Sequence, residues 1–303
     1  MSEATSTSTS AVRTARLAPT QAQRGLWSDA WRRLRRNKAA LAGLFIVVVL
    51  CLIAIFADVL APYPYAEQHI QITFRKIGTP GYPLGTDQLG RDLLSRLIYG
   101  ARISLGVALL AQMFVLLVGV PIGLIAGAGS HTLDNLLMRI TDVIYAFPDL
   151  LFVIIILSVL GRNILFVPIA IAIVNWTTMA RLVRGQVLAL KERDYVLAAR
   201  ALGVPQRRII AYHLLPNALT PIIVAVTLGV PQYILLESTL SFIGIGAPPP
   251  MPSWGLMIND GFNSIFSYPH MVIMPGIAIA ITMLSFTFLG DGLRDALDPR
   301  GQQ

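Results

Sequence analysis

The 303-residue chain is 55% hydrophobic and only 13% charged, about half the charged share of a soluble globular domain, which excludes a water-soluble fold and marks an integral membrane protein. Its net charge of +8 does not point to nucleic acid, because the basic residues sit beside apolar runs and neither a zinc-finger spacing nor an aromatic-rich basic patch occurs. The single cysteine, Cys51, can form no internal disulfide and reads as a small buried hydrophobe in the first apolar run.

Residues 1–38 are rich in Ser, Thr and Ala, then in Arg, and end in Trp31-Arg-Arg-Leu-Arg-Arg-Asn-Lys38. They read as a disordered cytoplasmic basic tail rather than a cleaved signal, because the run that follows is long enough to span. That run, 39–57, is the first span. The polar segment up to residue 102 reads as a long external loop with a short amphipathic helix, capped by Thr86 or Asp87, in which Asp92 and Arg96 form an i,i+4 ion pair.

Residues 103–292 form the remaining five-span core. The second span, 103–128, carries Gly119, Pro121, Gly123 and Gly127, small positions that let a neighbouring helix approach. The third, 140–161, is kinked at Pro148 and holds two carboxylates, Asp142 and Asp149, seven residues apart on nearly one helix face. Residues 163–180 and 214–236 are the fourth and fifth spans, and Glu237 marks the external end of the fifth. Four prolines between 248 and 252 make an ordered external loop. The sixth span is 271–290, and 293–303 form a cytoplasmic tail. Six spans place eighteen Lys and Arg on one side and six on the other, so both termini and the loop at 185–216 lie in the cytoplasm.

That loop is a polar, basic insert between two spans. Asp194 is positioned to cap a helix running through Tyr195 to Leu202, Gly203 stops it, and Pro205 starts the next, giving an abrupt elbow. Ala198 and Ala199 leave one surface with little side-chain bulk. Two readings stand: a docking element for another protein, or a loop whose helices pack on their own spans. Among the intramembrane acids, Asp142 can pair with Arg139 at i,i+3, whereas Asp149, Asp142 and Glu237 are candidate substrate-path residues, set against helix capping or an interfacial position.

The spacing Ala198-Ala199, three residues, Gly203, nine residues, a hydrophobic position, any residue, Leu215-Pro216 resembles the E-A-A loop of ATP-binding-cassette importer permeases. Leu197 stands where that motif has Glu, and His213 where it has Ile. Leu84-Gly-Thr-Asp-Gln-Leu-Gly-Arg-Asp92, Ser241-Phe-Ile-Gly-Ile-Gly-Ala-Pro-Pro249 and Leu289-Gly-Asp-Gly-Leu-Arg-Asp-Ala-Leu-Asp-Pro299 are similar to the dipeptide and oligopeptide branch, in its second permease subunit. The resemblance implies an all-α, type I importer permease core of six transmembrane helices in a bacterial or archaeal cytoplasmic membrane. It further implies that Asp194, Tyr195, Ala198, Ala199, Arg200, Gly203, Leu215 and Pro216 couple to the ATPase.

The implied partners are a second permease subunit, two ATPase subunits that bind ATP and Mg, an extracytoplasmic solute-binding protein, and membrane lipid. No G-x-x-x-x-G-K-[ST] phosphate loop, catalytic triad or metal-ligand cluster occurs, so the chain itself reads as non-enzymatic and without a cofactor. Beside import of di- and oligopeptides stand two alternatives: the same class of importer for nickel, glutathione or another small solute, and an ion-coupled secondary carrier.

Overall fold

The computed structural model describes residues 26–297, whose regular elements are all helices, with no strand among them. Helix α1 (Leu26–Leu34) comes from the stretch expected to be a disordered tail. Ala30 and Leu34, four residues apart on one face, are buried against Ala40 and Ala296, and that contact is what orders it. The rest of the tail lies outside the described residues, as do residues 298–303. Helix α2 (Lys38–Ile55) follows, its first turn capped by Asn37, whose side-chain oxygen accepts from the Ala40 amide at 3.1 Å. Helix α3 (Ala57–Leu60) ends it.

Helix α4 (Leu93–Ala128) is 36 residues long, which corrects the expected short amphipathic helix at the interface. The cap is neither Thr86 nor Asp87 but Asp92, whose carboxylate accepts from the Ser95 amide at 2.7 Å. Once capped there, the chain meets no breaker before Gly129, since Pro121 lies in an apolar environment where the helix has no competing partner for its backbone.

The expected third span is two helices. Helix α5 (His131–Tyr145) and helix α6 (Asp149–Leu160) meet at 86°. Pro148 has extended backbone, φ −60° and ψ 124°, because a proline lacks the amide that would continue the helix. The polar residues of α5 give it one wet face, so it lies steeply across its neighbour. Asp142 and Asp149 therefore stand on different helices and share no face.

Helix α7 (Phe166–Leu190), helix α8 (Asp194–Ala201) and helix α9 (Gln206–Ile209) lead through one π-helical turn, Ile210–Leu214, into helix α10 (Leu215–Phe242). Helix α11 (Trp254–Phe262) and helix α12 (His270–Leu297) complete the fold. Among the described residues five helices are long and apolar enough to cross a membrane, giving six spans if α5 and α6 count as one broken span.

Glycines set the centre of the bundle. A Cβ on Gly119 would fall 2.8 Å from Met179, on Gly123 2.5 Å from the Ala180 carbonyl, and on Gly127 2.7 Å from Val187. The rising numbers on both helices mean that α4 and α7 run parallel, backbone close to backbone, held by packing rather than by a hydrophobic drive that lipid does not supply. Helix α10 runs antiparallel to them, with Gly229 against Gln112. The start of α2, the end of α12 and the elbow at 193–216 share one end of the bundle, shown by Gly292 against Ala40 and by the Gln206 side chain donating to the Ala128 carbonyl. Helix α11 and the loop before α4 share the other.

Candidate functional site

The elbow is rooted by its apolar residues and presents the rest. Val196, Ile209 and Leu214 are wholly buried, and Ala199 nearly so, while Asp194, Tyr195, Leu197, Ala198, Arg200, Leu202 and Tyr212 are exposed. Asp194 is the first residue of α8 rather than its cap. The capping position is Arg193, which makes no side-chain cap bond, so Asp194 acts only through its charge at the helix start. Gly203 has φ +76°, and a Cβ there would meet nothing within 4 Å. The glycine is needed for backbone conformation, not for room. The Val204 amide donates to the Ala199 carbonyl at 3.1 Å and closes the corner. Leu215 is half-buried and Pro216 exposed at the start of α10.

Ala199 thus faces inward, and Ala198 carries the small outward surface with Leu197 and Leu202 beside it. Leu202 is 83% exposed and Tyr212 71%, so the elbow carries large apolar side chains on its outer surface. From this surface the helix of α9, the π turn and α10 runs unbroken, Gln206–Phe242, to the opposite end of the bundle.

Asp149 opens α6 and lines a cleft of about 290 Å³ with Leu150, Asn175, Gln232, Tyr233, Leu236 and Thr239. It makes no hydrogen bond or ion pair among the described residues. Asp142 is elsewhere: it accepts from Arg181 at 3.0 Å, not from Arg139, because the tilt of α5 carries it onto α7. Arg181 also lies 4.1 Å from the centroid of the Tyr145 ring. Asp142 is therefore part of a clamp between helices and lies outside the cleft.

Glu237 lies inside the bundle rather than at an interfacial position. It is fully enclosed, ringed by the hydroxyls of Ser241, Ser104, Ser253 and Ser238. The Ser241 hydroxyl donates to it at 2.6 Å while accepting from the Ala247 amide at 3.0 Å. Ser104 accepts from the Trp254 amide and Ser253 from the Leu256 amide, each at 3.2 Å, which leaves their hydroxyl protons free for the carboxylate. Helices α4, α10 and α11 are thus joined at one acceptor.

The same end holds a second buried cluster. Arg91 donates to Asp87 at 2.5 Å and to Asp260 at 3.0 Å, and Arg96 donates to Asp260 at 2.9 Å. Arg96 is drawn to Asp87 and Asp260, and Asp92 serves the cap through one oxygen, so the expected Asp92–Arg96 pair does not form. Closer to the membrane edge, the Arg102 guanidinium and then the Tyr99 hydroxyl hydrogen-bond Asp58 and hold its carboxyl below the usual range.

Sequence spacing missed Asp260, Asn175, Gln232 and Tyr233. Asp260 sits far from Arg91 and Arg96 in the chain, and no local pattern joins them. Gln232 and Thr239 are seven residues apart on α10, so polar positions at helical spacing within an apolar span were the available signal.

Residues 119–302 match the family described as binding-protein-dependent transport system inner membrane component, and residues 25–76 match the N-terminal TM domain of oligopeptide transport permease C. The chain is 43% identical over 275 residues to the oligopeptide transport system permease protein OppC of Bacillus subtilis, covering 91% of this chain and 90% of that one. It is 44% identical over 274 residues to the dipeptide transport system permease protein DppC of Alkalihalophilus pseudofirmus, covering 90% of each. An inward-facing structure of the MetNI methionine ABC transporter shares the fold with a TM-score of 0.53 at 19% identity, covering 67% of this chain and 96% of that chain.

Proposed function

Because the chain belongs to the binding-protein-dependent inner membrane components, in the OppC and DppC branch of ABC permeases, we propose that it is the translocation subunit of an ATP-driven importer of di- and oligopeptides. It is a multi-pass inner membrane protein. In this reading the elbow end is cytoplasmic, consistent with the eighteen Lys and Arg on that side. A second permease completes the pore, two ATPase subunits bind ATP and Mg, and a solute-binding protein delivers peptide at the end formed by α11 and the loop before α4. The chain itself carries out no chemistry, in keeping with its lack of a phosphate loop.

One observation carries the proposal. The elbow presents Leu197, Ala198, Leu202 and Tyr212 outward on a buried root, and the helix that leaves it reaches the far end without a break. A push on α8 during closure of the ATPases is thereby transmitted along α10 to the far end, where Glu237 joins it to α4 and α11. Alternating access needs such a rigid connection between the two ends.

The test is uptake by the chain reconstituted with its partner permease, ATPases and binding protein, using di-, tri- and pentapeptides and nickel as separate substrates. ATP-dependent peptide accumulation is expected. Nickel uptake without peptide uptake would reassign the substrate. Uptake that persists without the ATPases but collapses with the proton gradient would make the chain a secondary carrier instead.

A further inference from the structure

A second cleft lies below the one at Asp149. It has a volume of about 450 Å³ and is lined on α7 by Leu182 and Gln186, on α10 by Pro221, Ala225 and Leu228, and on α12 by Arg294. The two clefts share helix faces. On α7, Asn175 of the upper cleft is followed by Leu182 and Gln186 of the lower one at steps of seven and four, which return to the same side of a helix. On α10, Pro221, Ala225 and Leu228 of the lower cleft are continued by Gln232, Leu236 and Thr239 of the upper one at steps of three and four. One seam between α7 and α10 therefore runs through both, and their centres lie roughly 15 Å apart at 1.5 Å per residue.

The seam has a carboxylate at one end and a guanidinium at the other. Asp149 and Arg294 each lack a hydrogen bond or ion pair among the described residues. Asp291 and Asp295 flank Arg294 on α12 and are exposed, but neither forms an ion pair with it. Both Asp149 and Arg294 are exposed and neither is neutralised by a neighbour, so each is open to a ligand group of opposite charge. A peptide with free ends is such a ligand, with an ammonium at one end and a carboxylate at the other. At ~3.5 Å per extended residue, four to five residues span the seam.

Resting on the peptide reading above, we infer that this seam is the chain's share of the translocation path and that it orients the peptide, with the carboxylate leading toward Arg294 and the ammonium trailing at Asp149. The apolar residues between the two ends, Leu228, Leu182 and Ala225, are indifferent to side-chain identity, so the ends of the backbone supply the grip.

The test places a charge of chosen sign at the inner end. In the reconstituted complex with its other cysteines removed, including Cys51, Arg294→Cys is treated with a cationic or an anionic methanethiosulfonate, and pentaalanine uptake is measured. Loss of one charge-assisted contact predicts a drop of about tenfold for Arg294→Cys. The cationic reagent should restore most of the rate, the anionic reagent none, and Arg294→Lys should stay close to the unmodified protein. Equal effects of the two reagents, or an Arg294→Lys variant as slow as Arg294→Cys with normal assembly, would overturn the inference and leave the function standing. A parent complex that takes up no peptide at all would overturn the substrate reading, and the inference with it.

Discussion

Arg184 grips Asp134 with both arms of its guanidinium, Nε to Oδ1 at 2.5 Å and Nη2 to Oδ2 at 2.8 Å, where α5 crosses α7. Eight residues along α5, Asp142 has advanced only to Arg181, three residues back on α7. The two pairs fix α5 at a steep angle, and the angle in turn sets where Asp149 enters the cleft.

Asp134→Ala should therefore loosen α5 more than a surface pair would, because the fork is bidentate and Asp134 is buried. A loss of about 1–3 kcal/mol is expected, read as a lower unfolding temperature in detergent. Arg184→Lys should recover only part, since an ammonium cannot reproduce the fork. Equal stability of all three proteins would mean that the pair adds nothing.

The cluster at the other end predicts a larger effect. Asp260 is the acceptor that Arg91 and Arg96 share across α11, and Arg96 is 1% exposed. Asp260→Ala leaves those two guanidiniums with Asp87 alone, and breaking a buried pair from one side costs about 3–5 kcal/mol. The segment 61–92 should become sensitive to proteolysis at the same time, because Arg91 ties it to α11. Protection unchanged from the parent would show that the segment is held by other contacts.

This cluster also marks the limit of what the sequence told. Apolar length located the spans, and Gly203, by its punctuation of the insert, located the elbow. Helix ends were harder. Spacing offers Thr86 or Asp87 as the cap, but Thr86 is tied to Ile72 and Arg75 and Asp87 to Arg91 and Arg96, and Asp92 caps α4 instead. Spacing along one helix offers Asp142 only Arg139, because its partner on α7 is 39 residues away in the chain and no local pattern joins them. Carboxylates inside spans stand out in the sequence, whereas the amides Asn175 and Gln232 join a site only where α7 and α10 lie side by side.

Glu237 makes a separate prediction. Its carboxylate is the common acceptor for serine hydroxyls on α4, on α10 and at the start of α11. Glu237→Ala strands several buried donors at once, each costing about 1–3 kcal/mol, so the variant should be poorly assembled even when expressed. Glu237→Gln keeps the volume and one acceptor oxygen and should assemble with intermediate stability. Size-exclusion profiles of the complex separate the two cases. Parent-like assembly of Glu237→Ala would remove Glu237 as the joint between these elements.

At the elbow the structure separates two alanines that the sequence treats alike. Ala199 is buried and Ala198 exposed, so a bulky residue at 199 disturbs the root whereas one at 198 alters only the outward surface. Ala198→Trp should insert and fold normally yet lower ATP-driven uptake about tenfold or more, the size of effect found when a central contact of an interface is disrupted. At Gly203 the space around the Cβ is open but φ is +76°, so the penalty belongs to the backbone. Asn tolerates this conformation better than a β-branched residue, and Gly203→Asn should therefore couple better than Gly203→Val, with about 1–2 kcal/mol between a favoured and a disfavoured backbone. ATPase activity and peptide uptake measured on the same vesicles check both points. If Ala198→Trp takes up peptide at the parent rate with the ATPase bound, α8 is an ordinary loop helix and the push on α10 must come from elsewhere.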